Sequence, residues 1–347
     1  MRQNLQLKET MNPLVSVVVT TYNQALYIQQ TLQSVFDQTY PNFEVIVVDD
    51  GSTDDTPTKL GPFMDRIVYV RQENQGVAAS RNAGIRKAKG ELVALLDGDD
   101  LWELGKLAIQ VEALRRFPSA GLIAVNGIEF DEHGVIGTSL FDREFLDRLD
   151  SSTESDHQFK YLPESCYRLF LVGNRIWTAS QVMIPRCVLE RVGPSDSSLP
   201  IASDYDLYLR ILKNYRMAAV DKSLTRWRYL PSSASGPREL RPLRWWDDEI
   251  RVLIKHLTVA NAEDRDLVAN QIRMWSICLV RGLYHYGLND LQSKTWASWR
   301  LIGLLQRKRV PAAIVIAYLG ALWVPQKWAI TLRPYITKAL RTLATDK

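Results

Sequence analysis

Leu96-Asp97-Gly98-Asp99-Asp100-Leu101-Trp102 follows directly on the apolar run Glu91-Leu92-Val93-Ala94-Leu95. Three carboxylates therefore stand at the end of a short strand, the edge at which an open α/β sheet binds its ligands. Asp97 and Asp99 can turn oxygens toward one hard cation, and a cation held there can bridge to the diphosphate of a nucleotide. A solvated turn is the competing reading, because acids beside glycine are ordinary turn chemistry. The rest of the chain decides between the two.

Upstream, β-rich runs alternate with helix-like segments, the pattern of βαβ units around a parallel sheet. The strands are read at Leu14–Thr20, Phe43–Asp49, Ile67–Val70 and Leu92–Leu96, all short and apolar as doubly covered strands are. Ile28, Leu32, Val35 and Phe36 recur at helical spacing after the first strand, and Leu107, Val111 and Leu114 do so after the acidic cluster. Asp142 to Glu164 is polar, without a period, and reads as a long connection or flap. A second ordered section runs from about Arg175 to Tyr229, with a turn at Gly193-Pro194 and a helix over Asp204–Lys213. Pro231-Ser232-Ser233-Ala234-Ser235-Gly236-Pro237 is the best linker.

Four further signals lie in the order a nucleotide-sugar site requires. Thr20-Thr21-Tyr22-Asn23 ends the first strand, where a tyrosine ring can stack on a base or Asn23 can cap a helix. Asp49-Asp50-Gly51-Ser52-Thr53-Asp54 ends the second, where a carboxylate can accept a base N–H or serve plain turn chemistry. Ser80-Arg81-Asn82-Ala83-Gly84 offers Arg81 to a pyrophosphate or to solvent. Ser203-Asp204-Tyr205-Asp206 opens an amphipathic helix, where acids are also favoured by the helix dipole alone.

In register, these five motifs resemble family 2 glycosyltransferases of the GT-A fold over residues 12–238. The resemblance implies an α/β fold: a Rossmann-like GT-A nucleotide-sugar-binding domain with a mostly parallel central sheet, followed by a C-terminal helical region. It implies an inverting transfer of a sugar from a nucleotide diphosphate donor, UDP favoured, to a carbohydrate or lipid-linked acceptor. Carried over by position, Thr20, Tyr22, Asp50, Arg81 and Asp97 hold the nucleotide, Asp99 ligates Mn²⁺ or Mg²⁺, and Asp204 is the general base. Two departures stand out. Ser203 occupies the place where many relatives have an acid before the base, and Leu230 occupies the place of a metal-binding histidine. They motivate an alternative, a non-catalytic nucleotide-sugar-binding or scaffold protein at the membrane surface. No Gly-x-Gly-x-x-Gly follows any strand, which argues against a dinucleotide-dependent oxidoreductase.

With 347 residues the chain has room for a large catalytic domain and an appendage. The expected division is an N-terminal extension over 1–11, the catalytic domain over 12–238 and a helical, basic, tryptophan-rich region over 239–347. Cys166, Cys187 and Cys278 are odd in number and form no Cys-x-x-Cys pair, which fits a reducing compartment better than a disulfide framework. The first residues lack the apolar core of a signal peptide, so a cytoplasmic location is expected. From Leu291 onward the only acid is Asp346 against ten Lys and Arg, and seven of the ten tryptophans follow the linker. That composition points to peripheral attachment on an anionic membrane surface at the inner face of the cell membrane, or to rings buried against the catalytic core or a partner subunit. The uncharged stretch Val310–Pro325 is shorter than the roughly 20 residues a spanning helix needs. No nucleic-acid-binding motif accompanies the charge, so nucleic acid is not expected as a partner.

Overall fold

The computed structural model describes residues 12–150, 155–156, 159–162, 166–231, 233 and 241–285. The N-terminal extension, the stretch Val310–Pro325 and Trp296, Trp299, Trp323 and Trp328 lie outside the described residues. The chain forms two compact units, 1–230 and 231–347.

The first unit is built on one mixed sheet. Its strands are β1 (Val15–Thr21), β2 (Phe43–Asp49), β3 (Val68–Arg71), β4 (Leu92–Asp97), β5 (Leu101–Trp102), β6 (Ala120–Asp131), β7 (Gly134–Gly137), β8 (Ser155–Asp156), β9 (Phe159–Tyr161), β10 (Val182–Pro185) and β11 (Arg216–Arg228). The spatial order is β3-β2-β1-β4-β10-β6-β11-β9-β8, with β5 pairing β11 and β7 pairing β6. The first four strands are mutually parallel. β10 enters antiparallel between β4 and β6, and β11 runs parallel to β6. The start of β10 and the end of β11 thus reach the same sheet edge as the end of β4, and this arrangement makes the site.

Helices α1 (Ile28–Phe36), α2 (Thr56–Leu60), α3 (Val77–Lys87), α4 (Lys106–Arg116), α5 (Arg143–Asp150), α6 (Cys166–Leu171), α7 (Arg186–Val192) and α8 (Ser203–Leu212) complete the unit. The expected stripes are the buried ones: Ile28, Leu32 and Val35 of α1, and Leu107, Val111 and Leu114 of α4, pack into the core with Val17, Val19, Val45 and Val47. Gly84 lets α3 lie directly on the sheet, since a Cβ there would stand 2.3 Å from Val18 Cγ1. Gly193, at φ +81°, ends α7 in a backbone conformation that suits glycine.

Three sequence expectations need correction. β3 is not doubly covered: it is the sheet's edge strand and its residues are exposed or half-buried. Asn23 does not cap α1, which starts at Ile28 after a turn in which Tyr27 and Ile28 N–H both donate to the Gln24 carbonyl. The described part of 142–164 is not plain connection. It carries α5, β8 and β9, and Arg175 anchors it through Asp142 (2.8 Å) and Glu144 (2.7 Å).

In the second unit α9 (Arg241–Val259) and α10 (Ala262–His285) pack on each other and bury Ile250, Val252, Leu253, Val268 and Ile272. Trp245, Trp246 and Trp275 are half-buried. Among the described residues no helix is long and apolar enough to cross a membrane.

Candidate active site

Backbone pairing alone brings the ends of β1, β2 and β4 side by side, with Thr20 facing Asp97 and Thr21 facing Asp49. The acidic turn after β4 is tight because Gly98 sits under other groups: a Cβ there would lie 2.4 Å from Gln24 Oε1 and 2.9 Å from the Thr20 carbonyl oxygen. The Gly98 N–H donates to that carbonyl at 2.8 Å.

Asp97 is the hub. Its Oδ1 accepts from Arg81 Nη2 at 2.7 Å and from Thr20 Oγ1 at 3.3 Å, and its Oδ2 accepts from Thr178 Oγ1 at 3.4 Å. Arg81 is nearly buried and its Nε has no hydrogen-bond partner. Burial opposes the Arg81 charge, yet Asp97 and Asp204 more than offset it and raise its proton affinity. Asp204, at the head of α8, thus acts electrostatically on the guanidinium that Asp97 binds, although the two acids are far apart in the chain. Burial pushes the Asp204 carboxyl up to about 6, with Arg81 opposing the rise. Tyr208, one turn further along α8, is fully buried with no partner for its hydroxyl; burial and then the Asp204 charge raise it well above the ordinary tyrosine value.

Asp99 and Asp100 differ in their surroundings. Asp100 Oδ2 accepts from Ser180 Oγ at 2.6 Å and from Thr178 Oγ1 at 3.0 Å, and Oδ1 accepts from the Arg228 backbone N–H at 2.9 Å. Arg228 Nε also donates to the Asp99 carbonyl at 2.8 Å. The Asp99 carboxyl is pushed up to about 7, by burial first and then by Asp97, with Arg228 and Gln24 opposing. Burial and both neighbouring aspartates likewise raise Asp100.

The nucleotide-side residues fall on the opposite flank of β4. Asp50 is buried and accepts from Gln72 Nε2 (2.7 Å), Gln75 N–H (3.0 Å) and Gly76 N–H (2.8 Å), bracing the loop before α3. Tyr22 is 45% exposed beside it. Asn23, at φ 51°, receives the Thr53 N–H at 2.8 Å and ties the β1 loop to the β2 loop. Asp206 belongs to the scaffold: it pairs Arg210 at 3.0 Å, and Arg210 in turn holds the Val192, Gly193 and Pro194 carbonyls.

The structure thus gathers Thr20, Arg81, Asp97, Asp99 and Asp204, with Asp50 and Tyr22 across the edge. Thr178, Ser180, Arg228 and Tyr208 were not singled out as site residues by sequence. Tyr208 carried a signal in its i+4 spacing from Asp204, and Arg228 stands in the segment Arg228-Tyr229-Leu230-Pro231 that holds the departure at Leu230. Among the described residues no group of three or more His, Cys, Asp or Glu side chains is arranged to hold a metal. The oxygen-only chemistry of Asp97 and Asp99, and a buried Asp99 carboxyl whose charge Arg228 only partly offsets, nevertheless suit a hard divalent cation.

Comparison with known proteins places this architecture. S. aureus TarS (residues 1–349, in complex with UDP) superposes with a TM-score of 0.60 at 18% identity, covering 94% of this chain and 87% of that one. A mannosyltransferase from Pyrobaculum calidifontis, in complex with GDP-Man and Mn²⁺, superposes with a TM-score of 0.55 at 22% identity, covering 97% and 88%. The fold is of the GT-A type. Residues 16–166 match the family described as Glycosyl transferase family 2. An uncharacterized glycosyltransferase of Rickettsia typhi is 31% identical over 216 residues, 61% of each chain. A putative teichuronic acid biosynthesis glycosyltransferase of Bacillus subtilis is 39% identical over 130 residues, 35% of this chain and 52% of that one. The chain spans 61% of the length of the first of these relatives.

Proposed function

We propose that the chain transfers a sugar, with inversion, from a nucleotide diphosphate donor to an acceptor hydroxyl, in polysaccharide, glycolipid or cell-envelope synthesis. The observation that carries this is Arg81, one buried guanidinium paired with Asp97 at the end of β4 and under the charge of Asp204 at the head of α8. In this reading Tyr22 stacks on the base and Asp50 accepts a base N–H, since its Oδ2 takes only one of the three loop donors. Thr20 and Arg81 hold Asp97 in place toward the ribose and diphosphate. Asp99, with Asp97, is the site for Mn²⁺ or Mg²⁺. A divalent cation, when bound there, neutralises charge that develops on the leaving diphosphate. Asp204 takes the proton of the attacking hydroxyl, and a carboxyl near 6 is ionised at neutral pH while remaining a better base than an ordinary aspartate. UDP is the favoured nucleotide, supported by UDP and UDP-GlcNAc in the TarS complexes, with GDP the competitor through the mannosyltransferase.

Calorimetric titration with UDP, dTDP and GDP, each with and without Mn²⁺, tests the donor class. The expected result is metal-dependent binding of one nucleotide, lost in Asp99→Ala and kept in Asp204→Asn. No binding of any of the three overturns the proposal. The basic, tryptophan-rich composition of 239–347 supports attachment to an anionic membrane from the cytoplasmic side, where a lipid-linked acceptor would lie. Equal partition of the full chain between anionic and zwitterionic vesicles would remove that part.

A further inference from the structure

Lys106 opens α4 with a fully buried side chain, in a place that methionine would fill without the desolvation cost of an amine. Burial pushes it well below the ordinary lysine value, and among the described residues no carboxylate pairs with it. Its amine is nevertheless held in place. Nζ donates to Gln110 Oε1 at 2.8 Å and lies 3.9 Å from the centre of the Trp102 ring. An amine N–H over an indole face is attractive in either protonation state, and more strongly so when charged. Both contacts lead to one turn. Trp102 Nε1 donates to the Ser180 carbonyl at 2.9 Å. Gln110 Nε2 donates to the Gln181 carbonyl at 3.1 Å and to the Ile123 carbonyl at 3.3 Å. Ser180 and Gln181 belong to the single 3₁₀ turn Ala179–Gln181 that follows Thr178.

That turn in its own right holds the acidic cluster. Ser180 Oγ donates to Asp100 Oδ2 at 2.6 Å and accepts the Asp97 N–H at 3.0 Å. The Thr178 hydroxyl reaches Asp100 at 3.0 Å and Asp97 at 3.4 Å. Ser180 is thus gripped from both ends by the segment after β4, its hydroxyl by Asp100 and its carbonyl by Trp102. We propose that Lys106 is a positioning residue for the acidic cluster: through Trp102 and Gln110 it fixes the Ala179–Gln181 turn, and the turn fixes Asp97, Asp100 and the backbone that carries Asp99 between them. Methionine in its place would leave Gln110 Oε1 without its donor and the Trp102 face without an N–H, so both supports of the turn would loosen together. The inference rests on the transferase reading and deepens it, since Asp97 and Asp99 are the residues which that reading gives to the cation. Groups standing behind metal ligands set the orientation of the ligands and with it the affinity of the site.

The test uses the full chain and two single variants, Lys106→Met and Trp102→Phe, which break the connection at different links. Amide exchange of the ligand-free chain, followed by mass spectrometry, should accelerate about tenfold over 92–102 and 177–183 in both variants, with 43–49 unchanged. Mn²⁺ is then titrated by calorimetry in the presence of whichever of UDP, dTDP and GDP the native chain binds. Affinity for the cation should weaken about tenfold in both variants, the low end of what losing support behind metal ligands costs. Lys106→Met should keep its unfolding midpoint, because the lost Gln110 partner is offset by removal of a buried amine. Unchanged exchange in the two segments, or unchanged cation affinity, in either variant overturns the proposal. So does a Lys106→Met chain that loses its midpoint or exchanges faster over 43–49 as well, which would make the lysine part of the general core. A native chain that binds none of the three nucleotides sinks the transferase reading instead, and the exchange data, taken without ligand, report on the Lys106 connection separately.

Discussion

Asp50 and Asp99 stand at the ends of nearby strands of one sheet, both buried, and their surroundings are opposite. Asp50 meets three donors, two of them backbone N–H groups, and its charge is answered within the fold. Asp99 faces Asp97, and the Arg228 guanidinium and Gln24 only partly offset what burial and that repulsion do to it. A buried carboxylate that the protein satisfies is scaffold as much as ligand site. In the proposed reading, one left short of positive charge is held in place for a cation that arrives with the substrate. The β2 end of the site is thus built to be stable, the β4 end to be completed.

The largest effect expected is on chemistry at the β4 end. Asp204→Asn keeps the shape and removes the base, so turnover should fall about 10²–10⁴-fold while nucleotide affinity holds. Turnover by Asp204→Asn within a few-fold of the native rate would move the base elsewhere and restore the scaffold alternative raised by Ser203 and Leu230. Stability should separate the two aspartates in the reverse sense. Asp50→Ala strands the N–H groups of Gln75 and Gly76 and should cost about 1–3 kcal/mol by denaturant unfolding. Asp99→Ala removes a carboxylate that repels Asp97 and should be neutral or stabilising without metal. Equal losses in the two variants would break the comparison.

The pH dependence sharpens it. Asp204 and Asp99 have folded-state values raised to about 6 and about 7, above the ordinary aspartate value of about 3.9. Between those limits the folded chain binds more protons than the unfolded one, so metal-free stability falls as pH rises through the window. Activity runs the other way, because the base must be ionised, and should decline as pH drops through about 6. Opposed slopes of unfolding free energy and turnover are therefore expected. Asp204→Asn and Asp99→Ala should each flatten the stability slope, and parallel slopes in the native chain would contradict the assignment of both groups.

Much of this was legible in the sequence, for local reasons. The four parallel strands announced themselves as short apolar runs, and α1 and α4 by their stripes, because burial on one face writes a period into the chain. The missing parts are contributions made across the sheet. Thr178, Ser180 and Arg228 reach Asp100 only because β10 and β11 return to the edge where β4 ends, and no spacing in the chain encodes that return. β3 read as a covered strand because Val-Tyr-Val fits either an edge or an interior position. Asn23 read as a cap because its side chain accepts N–H groups readily. It does accept them, from Thr53 and, at longer range, Asp54 across the neighbouring loop rather than from α1.

Tyr208 offers the finest cut between scaffold and site. Its hydroxyl is buried, lies within the influence of the Asp204 and Arg81 charges, and makes no hydrogen bond to another protein group. If that group served the fold, Tyr208→Phe would cost the roughly 0.5–1.5 kcal/mol of an ordinary hydrogen bond. The unpaired hydroxyl predicts instead a stability change close to zero, or a small gain, by chemical denaturation. Turnover should carry the difference, because the hydroxyl lies one helical turn from Asp204 and has no protein partner of its own. A fall in kcat at unchanged stability and unchanged nucleotide affinity is the expected outcome. Loss of stability with kcat preserved would assign Tyr208 to the core of α8 and confine the site to the carboxylates and Arg81.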